Sequence, residues 1–133
     1  MKTIEVVAAI IVHRGQVLCA QRGDSKLDYI SRKYEFPGGK VEKNESLEKA
    51  LIREIKEELK MDINIRSHFT TVEHAYPDFN IIMHGFLCNV NSRILQLSEH
   101  LNIQWLNKHE LDNLDWAEAD LPIVEKLKVS NYE

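Results

Sequence analysis

Cysteine is scarce in this chain: Cys19 and Cys88 are the only two, and each lies inside an apolar run. A disulfide framework is therefore not expected, and a reducing cytoplasm is the expected compartment. Long hydrophobic stretches are missing too. The longest unbroken apolar run, Val6 to Val12, is far short of the roughly 20 residues a bilayer span requires. No apolar stretch after Met1 ends in a small-residue cleavage site, so neither a secretory leader nor a membrane partner is expected. Excess positive charge is absent: 17 Lys+Arg face 21 Asp+Glu for a net charge of -4, which argues against a grip on polymeric nucleic acid. Five glycines and three prolines are too few for a flexible linker or a low-complexity tract. What is there, 44% apolar and 29% charged residues in a chain of 133, fits a single domain spanning 1–133 with a core of ordinary size.

Two apolar runs, 3–12 and 17–22, flank His13-Arg14-Gly15-Gln16 and read as a β-hairpin. The pattern then dissolves into Gly, Asp, Ser and Lys over 23–33, which predicts a mobile, lid-like loop. One helix is predicted over about 44–60, with Asn44 as N-cap and Glu45 and Glu48 suited to the dipole of the first turn. Strands over about 62–75 and 79–89 surround a Tyr76-Pro77-Asp78 turn and form a second hairpin. A short strand at 103–106, a helical turn at 108–113 and a terminal helix at 121–129 with Pro122 in its first turn complete the chain. This order of elements predicts an α+β domain, layered α/β/α around a mixed sheet.

The central helix carries the most informative pattern. With Glu54 as the zero of a wheel at about 100° per residue, Glu57 and Glu58 fall within about 60° of it, as do Leu47, Ala50 and Leu51. Glu45, Lys49, Lys56 and Lys60 lie on the opposite side. The acids thus continue the apolar stripe, where like charges repel and desolvation costs several kcal/mol per unpaired ion. Two readings compete: a solvated acidic face, or an acidic cluster compensated by cations. Arg53, four residues before Glu57, is one partner, and a hard divalent cation with oxygen ligands is the natural remainder.

Read with what precedes it, the helix gives Gly39, then Glu45, then Arg53-Glu54-Ile55-x-Glu57-Glu58. This resembles the Nudix signature Gly-x5-Glu-x7-Arg-Glu-U-x-Glu-Glu-x-Gly-U, where U is bulky and apolar. Six fixed residues match in register, a coincidence on the order of 10⁻⁷ per starting position. One position departs: Lys60 stands where the signature has its second glycine, which puts the end of the helix in question. The opening Ile4 to Ile11, the Ala20-Gln21-Arg22 strand end, the segment Glu35 to Lys40 and the ending Ala119-Asp120-Leu121-Pro122 extend the likeness to the MutT-type branch. Within it they are most similar to the CTP pyrophosphohydrolases.

The resemblance implies an α/β/α Nudix fold and Mg²⁺-dependent hydrolysis of a nucleoside triphosphate to a monophosphate and pyrophosphate, with Mn²⁺ as a substitute metal. It places Glu54, Glu57 and Glu58 among the metal ligands, Gly38 as a carbonyl ligand, and Arg53 as the residue that orients the glutamates. Glu99, six residues before Trp105, resembles an additional metal or base-assisting glutamate, with a plain loop acid as the alternative. Arg22 and Lys40 look like phosphate contacts. Water attacks the β-phosphorus in line, with Glu54 or Glu57 as proton acceptor and Glu99 a third option. For the base, Asp120 read as an ionised acceptor suits the amine of cytosine, and a guanine edge is also compatible. Phe36 and Tyr34 are aromatic candidates either for stacking on the base or for the core. The histidines lack metal-like spacing and read as structural or surface residues. Hydrolysis of another diphosphate-linked metabolite and a catalytically silent nucleotide sensor are the competing functions, and monomer and homodimer are equally compatible with the sequence.

Overall fold

The computed structural model describes residues 1–132; the final position of the expected 1–133 domain lies outside the described residues. Strands β1 (Thr3–His13) and β2 (Gln16–Gln21) are joined by Arg14 and Gly15, whose φ values of 51° and 76° are both positive, as a tight hairpin turn requires. The hairpin does not stay closed. β1 and β2 pair only at Val12↔Val17 and His13↔Gln16. Beyond that, β2 leans away and pairs with β7 (Asn102–Leu106) on one side and, at its end, with β3 (Tyr34–Glu35). The edge of β1 thus released is taken by β4 (Gly38–Lys40), with Val7 opposite Gly39. This splay opens a cleft between the two halves of the sheet.

On its other side β1 runs parallel to β6 (Asn80–Asn89), from Thr3↔Asn80 to Val12↔Asn89. Strand β5 (Asn64–Ala75) closes the sheet antiparallel to β6, with two register irregularities. Because successive side chains of a strand point to opposite faces, Val7, Ala9 and Ile11 join one core and Ala8, Ile10 and Val12 the other. A strand buried on both faces must be continuously apolar, which is what Val6 to Val12 is. Helix α1 (Leu47–Leu59) covers the first face with Ala50, Leu51, Ile55 and Leu59, and α2 (Leu121–Lys128) covers the second with Ile123, Val124 and Leu127. Each fully buried aliphatic side chain contributes about 1.5–3 kcal/mol relative to exposure. The expected α/β/α layering around a mixed sheet is present.

Several boundaries moved for identifiable reasons. Helix α1 starts three residues later than the spacing predicted: Asn44 has φ 65° and lies outside the helix, while the Ser46 hydroxyl accepts from the Lys49 N–H and is the N-cap. Glu45 is consequently not a first-turn residue. At the other end Lys60 takes the left-handed conformation, φ 56°, and its N–H donates to the Lys56 carbonyl. The helix therefore ends where the signature glycine would end it, with a side chain in a conformation that glycine adopts more easily. The helical turn expected at 108–113 is a 3₁₀ turn at Leu111–Asn113, and a second one, Glu118–Asp120, leads into α2. No helix of the described residues is long and apolar enough to cross a membrane.

Candidate active site

The site is assembled where β4 passes under α1. Gly38 and Gly39 are there because nothing larger fits: a Cβ at Gly38 would fall on the Val7 carbonyl, and one at Gly39 on the Glu54 carboxylate. Glu54 is thus held flat against the strand, its side chain only 15% exposed. Arg53 organises the acids around it. Its guanidinium donates to Glu45 at 2.7 and 2.9 Å, to Glu54 at 2.9 Å, to Glu57 at 3.3 Å and to the Lys40 carbonyl at 3.1 Å. The expected pairing with Glu57 is present, but Glu45, placed by the helical wheel on the opposite side, is the strongest partner. Lying before the helix, Glu45 folds back and also accepts from the Glu42 N–H at 3.0 Å. The Arg53 hydrogen bonds, followed by that N–H, hold the Glu45 carboxyl down at about 2. The same contacts hold Arg53 firmly protonated.

Glu58 is in a different environment. It turns inward, its Oε2 is buried without a hydrogen-bond partner among the described residues, and burial pushes its pKa up to about 8. Nearby carboxylates of Glu35, Glu54 and Glu99 push in the same direction, against the pull of His100. Glu58 lies on the wall of a cleft of about 330 Å³ that also takes in Arg22, Glu35, Gly38, Gly39, Lys40, Glu99 and His100. Arg22 pairs with Glu35 at 3.2 Å, and the other Glu35 oxygen meets His100 Nε2 at 3.0 Å. Glu35 and His100 were not singled out from the sequence. His100 was read with the other histidines as structural or surface, although its side chain is 94% buried in the cleft wall (6% exposed). Burial alone would lower its pKa, but the hydrogen bond and charge of Glu35 reverse this and raise it.

The same cleft is also lined by the apolar side chains of Ile30, Phe36, Tyr76, Phe79, Ile81 and Met83 and by Asp120. Phe36 stacks on Trp116 with ring centroids 4.7 Å apart. Tyr34, the other aromatic candidate, does not line the cleft; it is buried and its hydroxyl accepts from Asn102 and Gln104 at 3.1 and 3.0 Å. Asp120 sits at the start of α2 but makes no side-chain cap there; its Oδ1 instead accepts from the Phe36 N–H, 84 residues away in sequence, at 3.0 Å. Burial, with the charge of Glu35 adding to it, raises its pKa well above the usual carboxylate range. A carboxyl kept in its acid form carries one O–H donor beside its acceptor oxygens, an alternative to the reading of Asp120 as an acceptor.

Of the expected site residues, Arg22, Phe36, Gly38, Lys40, Glu58, Glu99 and Asp120 line the cleft, while Arg53, Glu54 and Glu57 form an ion-pair cluster, so the three helix acids do not meet at one point. Glu54 and Glu57 are engaged by Arg53, Glu57 is 60% exposed, and Glu58 points into the cleft. Among the described residues no three His, Cys, Asp or Glu side chains converge as a metal cage. The chemistry of the donor set nevertheless fits a hard divalent cation: it is carboxylate oxygen beside backbone carbonyl, and the buried Glu58 Oε2 has no hydrogen-bond partner among the described residues.

The NUDIX domain family model matches residues 6–126 of the chain. The chain is 36% identical over 125 residues to CTP pyrophosphohydrolase of Escherichia coli K12, covering 94% of this chain and 91% of that protein. It is 28% identical to 8-oxo-dGTP diphosphatase of the same organism, covering 96% of this chain and 98% of that one. Among solved structures, the solution NMR structure of the DNA mismatch repair protein MutT, a Nudix hydrolase from methicillin-resistant Staphylococcus aureus 252, is 43% identical with a TM-score of 0.76, covering 98% of this chain and 100% of that one. With the signature acids on one helix, the double glycine beneath them and these similarities over nearly its whole length, the chain belongs to the Nudix hydrolase family.

Proposed function

We propose that the chain hydrolyses a nucleoside triphosphate to a nucleoside monophosphate and pyrophosphate with the help of Mg²⁺, replaceable by Mn²⁺. The observation that carries this reading is the mixed lining of one cleft, in which carboxylates, Arg22 and Lys40 occur together with apolar side chains and one buried acid. The charged residues receive the polyphosphate and the apolar ones the base.

Glu54, Glu57 and Glu58 with the Gly38 carbonyl would hold the metal, and Glu99 lines the cleft. When bound there, Mg²⁺ neutralises polyphosphate charge and acidifies a water molecule. The chain's own residues do the rest. Arg22 and Lys40 receive phosphate oxygens through charge-assisted hydrogen bonds. Arg53 fixes Glu54 and keeps Glu57 within 3.3 Å; Glu57, the more open of the two, accepts the proton of the attacking water. The anhydride bond between the α- and β-phosphates breaks, and the monophosphate separates from pyrophosphate. Replacing Glu57 by Gln is expected to cut kcat by at least about 100-fold, within the contribution of a positioned general base, with the melting temperature unchanged; near-normal turnover with Mg²⁺ would end this assignment.

Toward the base, Asp120 in its acid form would present a donor and an acceptor to a Watson–Crick edge, with Phe36, Tyr76 and Phe79 lining the same cleft. Cytosine, with N3 accepting and its amine donating, matches that pair of groups, which is the likeness to the CTP enzyme; an oxidised guanine nucleotide is the second reading, carried by the likeness to the 8-oxo-dGTP enzyme. A kcat/KM comparison across CTP, dCTP, 5-methyl-dCTP and 8-oxo-dGTP at one Mg²⁺ concentration, scoring pyrophosphate against phosphate, decides between them. The two cysteines, free and buried, accord with a cytoplasmic location.

A further inference from the structure

A long arginine at a strand end, with 42% of its side chain exposed, samples many rotamers unless something holds it, and a mobile guanidinium is a poor phosphate receptor. Arg22 is held. Glu35 divides its two oxygens, Oε1 to Arg22 Nη1 at 3.2 Å and Oε2 to His100 Nε2 at 3.0 Å. The three residues come from separate segments that the backbone ties together: the Leu101 N–H donates to the Gln21 carbonyl and the Arg22 N–H to the Lys33 carbonyl, both at 2.9 Å. The segment that delivers His100 is anchored further back by Arg93, which donates to His13 Nδ1 and to the His13 carbonyl at 2.9 Å each and stacks over Trp105 at 4.5 Å. Arg22, Glu35 and His100 all line the cleft. His100 Nδ1 is buried and without a partner among the described residues. A structural ion pair has no need of an orphaned polar atom on a cleft wall, and such atoms are rare in native interiors.

We propose that His100 is a positioning residue for the polyphosphate: through Glu35 it holds the Arg22 guanidinium over the cleft. The inference rests on the reading of Arg22 as a phosphate contact. Without the ring, Glu35 loses one of its two anchors, and Arg22 is free to follow it toward solvent. The consequence falls on binding of the triphosphate, not on the proton transfer at Glu57.

The test is a double-mutant cycle between His100→Ala and Arg22→Ala, with His100→Gln as a rescue variant because the glutamine amide N–H reaches toward Glu35 as Nε2 does. KM and kcat are measured for the best triphosphate, and the Kd of its α,β-methylene analogue with Mg²⁺ is measured by calorimetry. We expect about a tenfold rise in KM and Kd for His100→Ala, corresponding to about 1.4 kcal/mol, with most of the effect absent in His100→Gln. The double variant is expected to bind no more weakly than Arg22→Ala alone, since the two act as one unit. Additive losses, or a His100→Ala enzyme with normal KM and Kd, overturn the relay while leaving the phosphate contact standing. Normal binding in Arg22→Ala overturns both. If His100→Ala does not fold, the His100→Gln enzyme carries the decision: it must bind the analogue within about threefold of the parent, and a tenfold loss there rules the relay out.

Discussion

Gly39 and Asp120 show how single positions set the site. Gly39 has no side chain because the Glu54 carboxylate fills the space where a Cβ would go. Gly39→Ala is therefore expected to fold, since the obstacle is the end of a flexible side chain, but to displace Glu54 and lower kcat/KM by at least about tenfold, a change equivalent to 1.4 kcal/mol. Gly38→Ala meets the Val7 backbone instead, so its loss appears as a lower melting temperature. Measuring both quantities on both variants separates the two roles. Asp120 is the buried acid whose pKa is raised by desolvation first and Glu35 second. In the unfolded chain it titrates near pH 3.9. Above that value the unfolded state has lost a proton that the folded state keeps, so stability falls as pH rises toward the folded-state pKa. Asp120→Asn keeps the oxygen that accepts from the Phe36 N–H and has nothing to ionise. Urea midpoints at pH 5 and pH 7 are expected to fall less between the two pH values in Asp120→Asn than in the parent; parallel declines would refute the assignment.

At the scale of elements, the segment 23–33, expected from its composition to be a mobile, lid-like loop, makes specific contacts through Tyr29. The Tyr29 hydroxyl donates to Asp78 at 2.5 Å and its ring stacks on Tyr76 at 5.2 Å, linking the segment to the β5–β6 turn beside the cleft. Ile30, the next residue, forms part of the cleft wall. Tyr29→Phe retains the stack and removes the hydroxyl, so amide exchange over residues 24–32 is expected to quicken several-fold with α1 unaffected. Equal protection in the two proteins would show that packing alone holds the segment. Helix α1 illustrates the converse, an element whose existence was plain and whose ends were not. Of the predicted stripe of Leu47, Ala50 and Leu51, the last two are buried, and Ile55 and Leu59 complete the buried face, which is turned away from the side that carries Glu57. The N-cap moved from Asn44 to Ser46 because Glu45 is drawn back to Arg53, a contact between residues eight apart that no helical wheel contains.

For the molecule as a whole, the metal role proposed for Glu58 would couple folding to cation binding. Its pKa rises from an ordinary 4.5 to about 8, mainly through burial. The folded state therefore holds a proton that the unfolded state releases, and stability declines as pH rises across the interval from about 4.5 to about 8. A cation at the carboxylates favours the ionised form and binds only the folded chain. The increase in melting temperature produced by Mg²⁺ is expected to be larger at pH 8 than at pH 5, and to shrink in Glu58→Gln. An increment independent of pH would show that Glu58 takes no part in holding the ion.

The sequence by itself determined the layered α/β/α architecture, because a doubly buried strand and two amphipathic helices leave traces in apolar periodicity that depend only on local order. It also determined the acidic residues of α1, through fixed spacing in one continuous stretch, and its resemblance to the family pointed to Arg22 and Lys40 as candidate phosphate contacts. The tertiary structure alone decided the rest. The two- and three-residue strands β3 and β4 have no period to read, and exist because the splayed β1–β2 hairpin leaves an edge to pair. Glu45 on Arg53, Asp120 on the Phe36 N–H, and His100 on Glu35 join residues 8, 84 and 65 positions apart. Such pairs are chosen by where burial leaves a polar group without water, and that is a property of the folded surface, not of the order of residues.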